Sequence, residues 1–194
     1  MKETLKLLLA FVPWFAFWLI AGHSMMRLQV AVGVSSVLVV IMAVTKLHRG
    51  AILWAGYAFF AFALIFVVWL KNMWVIQHLG VLATGTLFVS AQLTILFGRP
   101  FTEDYAREHV PTELWNSASF VRGCFITTSA WSCVFLINTL LNTLKLYRHE
   151  IPEWRITLTE YAMILMGIVF TNTFSRLARR KREAFPKAIR AFNK

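Results

Sequence analysis

Residues 51–97 read AILWAGYAFFAFALIFVVWLKNMWVIQHLGVLATGTLFVSAQLTILF, with Lys71 as the sole formally charged side chain in the stretch. Crossing the hydrocarbon core of a bilayer takes about 20 apolar residues in a helix, and about 17 is the lower limit. Ala51 to Leu70 and Met73 to Phe97 each meet that length, and Lys71-Asn72 is a turn between them. Working outward, similar blocks run from Phe120 to Leu144 and from Trp154 to Phe174. Two shorter ones, Leu5 to Ala21 and Leu28 to Val44, precede them and are joined by Gly22-His23-Ser24. The pattern predicts an all-α fold: a polytopic transmembrane helix bundle of six helices, or five if the first segment is re-entrant or interfacial. Pro13 is a candidate kink in that first segment. The whole chain, 1–194, reads as one transmembrane domain with a connector at 98–122 and a basic tail at 175–194.

Composition agrees. Of the 194 residues, 58% are hydrophobic and 15% charged, far from soluble usage, so the expected solvent is lipid. The formal net charge of +11 would suggest nucleic acid in a soluble chain, but the basic residues lie between and after apolar blocks, so no nucleic-acid partner is expected. Cys124 and Cys133 sit in one block, on nearly opposite faces of one helix, and read as small apolar side chains. The N-terminal apolar stretch carries Pro13-Trp14-Phe15 and Phe17-Trp18 with no clean small-x-small site after it, and reads as a retained helix.

Cytoplasmic segments of membrane proteins carry the excess of Lys and Arg. With the N-terminus inside, Lys2, Lys6, Lys46, Arg49, Arg99, Arg107, Arg122 and eight tail residues fall on the cytoplasmic side. Arg27, Lys71, Lys145, Arg148 and Arg155 fall outside, so the ratio is fifteen to five and both termini are expected in the cytoplasm.

The connector reads GRPFTEDYAREHVPTELWNSASFVR over 98–122. Thr102 and Thr112 are candidate starts of short helices. Its mixed charges read as an interfacial loop laced by salt bridges; the sharper reading is a partner-docking surface through Tyr105, Arg107, Glu108 and Trp115. The tail carries Arg176, Arg179, Arg180, Lys181 and Arg182, followed by Phe185, Ile189 and Phe192 at helical spacing, and suits the surface of an anionic leaflet.

Ionisable groups inside spans are default functional candidates, since each costs at least about 2.5 to 3.5 kcal/mol at the bilayer centre. His78 and Glu160 qualify, both about 8 to 9 Å below the outer face. Asn138 and Asn142, one turn apart on the fifth block, fall near the same level. These four are a candidate polar cluster, for a solute, proton or lipid headgroup; the plainer reading is interhelical hydrogen bonding. Gln92 extends the candidate path, on a heptad stripe of His78, Gly85, Gln92 and Arg99, where Gly85 would permit close helix approach. Thr128, Ser132 and Thr139 are placed to face the same way.

No catalytic motif, metal-ligand spacing or pair of haem-ligating histidines is present, so neither cofactor nor metal is expected and the chain reads as non-enzymatic.

The first block, Phe11-Val12-Pro13-Trp14-Phe15-Ala16-Phe17-Trp18, resembles the Leu-Pro and aromatic opening of the intracellular septation protein A family, also called inner membrane-spanning protein YciB. The basic turn from Lys46 to Arg49, the Trp-containing connector, the series Trp131, Phe135 and Asn142, and Trp154 at the start of the last block are similar too. The sequence departs at Thr157 and Leu158, where that family carries a lysine, and in its longer connector. The resemblance implies a multi-pass bacterial inner-membrane protein contributing to envelope maintenance or division through other membrane proteins; lipids and copies of the chain itself are further expected partners. A small transporter or channel is the alternative.

Overall fold

The computed structural model describes residues 11–22, 24–45, 50–107, 110–148 and 151–192, with side chains described as far as Ala178. All regular structure among them is helical. The elements are α1 (Val12–Ile20), α2 (Met25–Val44), α3 (Ala51–Ala63, continued by a π-turn over Leu64–Trp69), α4 (Met73–Leu96), the short α5 (Thr102–Arg107), a 3-10 turn (Thr112–Leu114), α6 (Ala118–Tyr147) and α7 (Glu153–Phe192).

Local chemistry sets the helix ends. Ser24 Oγ accepts from Arg27 N at 3.2 Å, Asn72 Oδ1 from Val75 N at 3.1 Å and Ser117 Oγ from Phe120 N at 3.4 Å, so α2, α4 and α6 each start on a side-chain cap. The π-turn closes α3 with Leu70 N donating to Ile65 O at 2.9 Å. Lys71 then takes the left-handed conformation at φ 46°, reversing the chain within two residues. At the other end of α4, Gly98 is left-handed at φ 71°, and Arg99 N donates back to Thr94 O at 2.9 Å, a glycine-terminated stop followed by Pro100.

Among the described residues, five helices are long and apolar enough to cross a bilayer: Met25–Val44, Ala51–Trp69, Met73–Leu96, Ala118–Tyr147 and Glu153–Ala178. Their outward faces match that setting, with Val30, Val37 and Val40 exposed on α2 and Leu158, Leu165 and Val169 on α7. Trp69, Trp74 and Trp154 stand exposed where α3, α4 and α7 turn, the arrangement of an interfacial aromatic belt. The chain is a multi-pass membrane protein.

The described part of α1 has 9 residues, about 14 Å of helix, too short to cross alone. Yet its aromatic side chains pack into the core. Phe11, Trp14 and Phe17 are all buried; Trp14 stacks on Phe59 of α3 at 5.1 Å, and Phe11 stacks on Trp131 of α6 at 5.5 Å. Pro13 sits in the first turn, where it displaces no hydrogen bond of this described helix, so no kink follows from it there.

The most extensive pairing is α4 against α6. It runs antiparallel, with Gly80 opposite Asn142, Gly85 opposite Thr139 and Gln92 opposite Ser132. Helix α7 packs on α6, tied by Trp131 Nε1 donating to Thr171 Oγ1 at 2.9 Å and by the ring resting on Gly167.

The connector does not lie flat on the bundle end. Phe101, Thr102 and Tyr105 are buried, and Phe101 meets Phe11 edge-on at 6.4 Å. The Thr102 hydroxyl donates to the Cys124 carbonyl at 2.9 Å and shares a 2.8 Å hydrogen bond with Thr128. The expected helix start at Thr102 is therefore present, but its side chain is used to dock α5 on α6. Thr112 likewise begins its turn without a side-chain cap.

Candidate functional site

Where α1 and α2, α3 and α4, and α6 and α7 turn, the helices leave a cavity of about 460 Å³. It reaches down from Gly22, Lys145 and Glu153 to Thr84, Asn138 and Ile164, about 10 Å along α6. Its polar wall comes from one face of α6. Residues 138, 142 and 145 follow the i, i+4, i+7 spacing that aligns side chains along a helix.

Glu160 of α7 meets that face. Asn142 Nδ2 donates to Glu160 Oε1 at 2.7 Å and to the Asn138 carbonyl at 2.9 Å. Lys145 Nζ donates to Glu160 Oε2 at 2.5 Å. The ion pair is shielded, with side-chain exposures of 24% for Lys145 and 14% for Glu160, so each partner depends on the other for compensation.

Two further features define the wall. A β-carbon on Gly80 would overlap the Asn142 side-chain oxygen, so a larger residue there would push the Asn142 side chain from the position in which it meets Glu160. The same construction at Gly85 meets Thr139 at 3.8 Å, an ordinary contact, so the close approach expected at Gly85 belongs to Gly80 instead. Asn138 is 2% exposed and its Oδ1 has no hydrogen-bond partner. A buried amide without a partner is costly, which makes Asn138 the unsatisfied group of the cavity floor.

Of the five polar residues expected to form a path, Asn138, Asn142 and Glu160 come together. His78 does not join them: its ring stacks on Trp74 at 4.3 Å and its Nδ1 lies 2.8 Å from the Trp74 carbonyl. That contact selects the tautomer with hydrogen on Nδ1. Depth alone matched His78 to Glu160; its direction around α4 turns it away, two residues from Gly80. Gln92 lies well below the cavity, 12 residues or about 18 Å along α4 from Gly80, and donates to Ser132 at 2.9 Å as a tie between helices. The charge count places Lys145 in an outer loop, but α6 continues to Tyr147 and carries it into the cavity wall. Its place seven residues beyond Asn138 was the available signal.

On the connector, Tyr105 is buried rather than presented outward. Arg107 pairs with Glu103 at 2.5 Å and lies 4.9 Å from the Trp115 ring centroid, while Trp115 Nε1 donates to Val110 O at 2.8 Å. These groups chiefly bind the connector to itself. Glu108 lies outside the described residues. In the tail, Arg176 is exposed on α7; the side chains of Arg179, Arg180, Lys181 and Arg182 lie outside the described residues, although the helix continues through them. No group of three or more potential metal ligands occurs among the described residues.

Compared with family models, curated proteins and solved structures, the chain matches none. The functional reading therefore rests on the site.

Proposed function

We propose that this chain is a non-enzymatic membrane protein of the transporter or carrier type, taking a small polar solute or a lipid headgroup into the cavity between α4, α6 and α7. The observation that carries this reading is the Lys145–Glu160–Asn142 network with the unpartnered Asn138 beneath it, all on one cavity wall. Hydrogen bonds that only tie helices together need no 460 Å³ space beside them. Ionisable groups in spans characteristically face such water-accessible cavities.

The topology proposed with it has six spans, the first beginning before Phe11, and both ends of the chain in the cytoplasm. The fifteen-to-five distribution of basic residues supports that orientation, which turns the cavity outward. A bacterial inner membrane is the corresponding location, supported by the resemblance to the septation protein A family.

Labelling tests both parts. In a chain with Cys124 and Cys133 replaced by alanine, Thr157→Cys puts a thiol on the cavity wall. A membrane-impermeant maleimide added to intact cells should label it, and added solutes that enter the cavity should protect it. A thiol that reacts from neither side of the membrane would remove the reading.

A second reading, an envelope or division protein acting through other membrane proteins, draws on the exposed run 111–114 of the connector. Replacing 111–116 with a neutral linker and scoring crosslinked partners and division phenotype tests it; unchanged crosslinks and phenotype would count against it.

A further inference from the structure

The polar wall has a charge order that narrows what it can hold. Glu160 accepts one hydrogen bond on each oxygen from protein, and a carboxylate has about four acceptor positions, so acceptor capacity remains. Lys145 shows one hydrogen bond, to Glu160, and an ammonium has three donors. The pair is neutral overall. A monoanion drawn to Lys145 would also approach Glu160, and a monocation drawn to Glu160 would also approach Lys145. Either would bring an uncompensated charge into a shielded site. A ligand with both charges, set head to tail against the pair, leaves none unbalanced.

The floor adds a second requirement. Asn138 Oδ1 is buried and unpartnered, and a side-chain amide oxygen is satisfied only by an N–H or O–H donor. From these observations we infer that the cavity binds a primary-ammonium zwitterion, its N–H groups shared between Glu160 and Asn138 and its anionic group on Lys145. An ethanolamine phosphodiester headgroup and a free amino-acid-like solute share this chemistry. The inference rests on the cavity being the functional site, and goes beyond it by naming the ligand class and adding Asn138 as a binding residue.

The full chain in phosphatidylcholine nanodiscs, titrated with three soluble probes, tests it. O-phosphoethanolamine should bind. Phosphocholine, which has no N–H, and glycerol 3-phosphate, which has no cation, should each bind at least about tenfold more weakly. Asn138→Leu should weaken O-phosphoethanolamine by about tenfold while the protein keeps its melting temperature within a few degrees, because the Asn142 bond to residue 138 runs to the backbone carbonyl. If that variant unfolds, Lys145→Met with Glu160→Gln, which leaves no unpaired charge, supplies the comparison: it should likewise weaken O-phosphoethanolamine by at least about tenfold.

Equal binding of phosphocholine or glycerol 3-phosphate overturns the ligand class and leaves the cavity reading standing, as does failure of all three probes where Thr157→Cys is still labelled. Failure of labelling removes both. Loss of O-phosphoethanolamine binding when the discs contain phosphatidylethanolamine identifies the lipid headgroup as the source; retention identifies a free solute. Either result supports the shared chemistry.

Discussion

Asn142 holds its side-chain oxygen in the space that a β-carbon on Gly80 would fill, and the same amide donates its hydrogen to Glu160 at 2.7 Å. The contact of Gly80 with α6 and the polar network of α6 and α7 thus share one residue. Helix packing and site geometry are coupled at that point.

Gly80→Ala should therefore act on the site as well as on the fold. The added methyl displaces Asn142, with an overpacking cost of about 1 to 3 kcal/mol. The gain in helix propensity, about 0.5 to 1 kcal/mol, does not offset it. Gly85→Ala meets only the 3.8 Å contact with Thr139 and should be neutral or slightly stabilising. Thermal unfolding in detergent should separate the two variants by several degrees, and a larger loss from Gly85→Ala would contradict the assignment.

Removing one member of the ion pair should cost more than removing both. Lys145→Met leaves the Glu160 carboxylate shielded with Asn142 as its remaining hydrogen-bond donor, at about 3 kcal/mol, the lower end of the range for a broken buried pair. Lys145→Met with Glu160→Gln leaves no unpaired charge and should recover most of that loss. A double-mutant cycle in nanodiscs measures it, and simple additivity would mean that the charges do not compensate one another.

How much of this was legible in the sequence depends on which coordinate is considered. Depth is written in the chain: the turn between Tyr147 and Glu153 forces α6 and α7 to meet at one level, so Asn142 and Glu160 could be matched by counting residues. Direction around a helix is weaker, because apolar residues occupy every face of a membrane helix and no stripe marks the interior. His78 was accordingly matched in depth, yet it turns onto Trp74. Lys145 was legible as the continuation of the Asn138 and Asn142 face, but a lysine near a span end equally suits a loop. The burial of α1 was hidden too. Phe11, Trp14 and Phe17 suit lipid as readily as a core, and only their ring contacts with Trp131, Phe59 and Phe60 distinguish the two.

Thr102→Val tests whether the connector is docked by its hydroxyl. Valine keeps the shape and removes the hydrogen bonds to Cys124 O and Thr128 Oγ1. Losing them in a buried setting should cost about 1 to 3 kcal/mol. Because α5 is short, the loss should appear first as local release, read as faster amide exchange over 101–107 with little change in the spans. Exchange unchanged from the parent would place the docking energy in Phe101 and Tyr105 instead.

The same connector should respond to pH through Asp104. Its carboxylate lies against Gly50, where a β-carbon would come within 3.2 Å of Oδ2. Desolvation there raises its pKa above the ordinary 3.8, the neighbouring Glu103 adds to the rise, and Arg107 and Arg99 oppose it. A carboxyl whose pKa is raised on folding binds its proton more tightly in the folded state. The resulting stabilisation is fully present below the ordinary value and is lost as pH rises through the raised one. Docking of α5 should accordingly loosen as pH rises through that window, with exchange over 101–107 corrected for its intrinsic pH dependence. Asp104→Asn removes the carboxyl and should abolish the pH response, leaving the connector docked at neutral pH. A connector that tightens as pH rises would show instead that the charged carboxylate, held by Arg107 and Arg99, is the form favoured by folding.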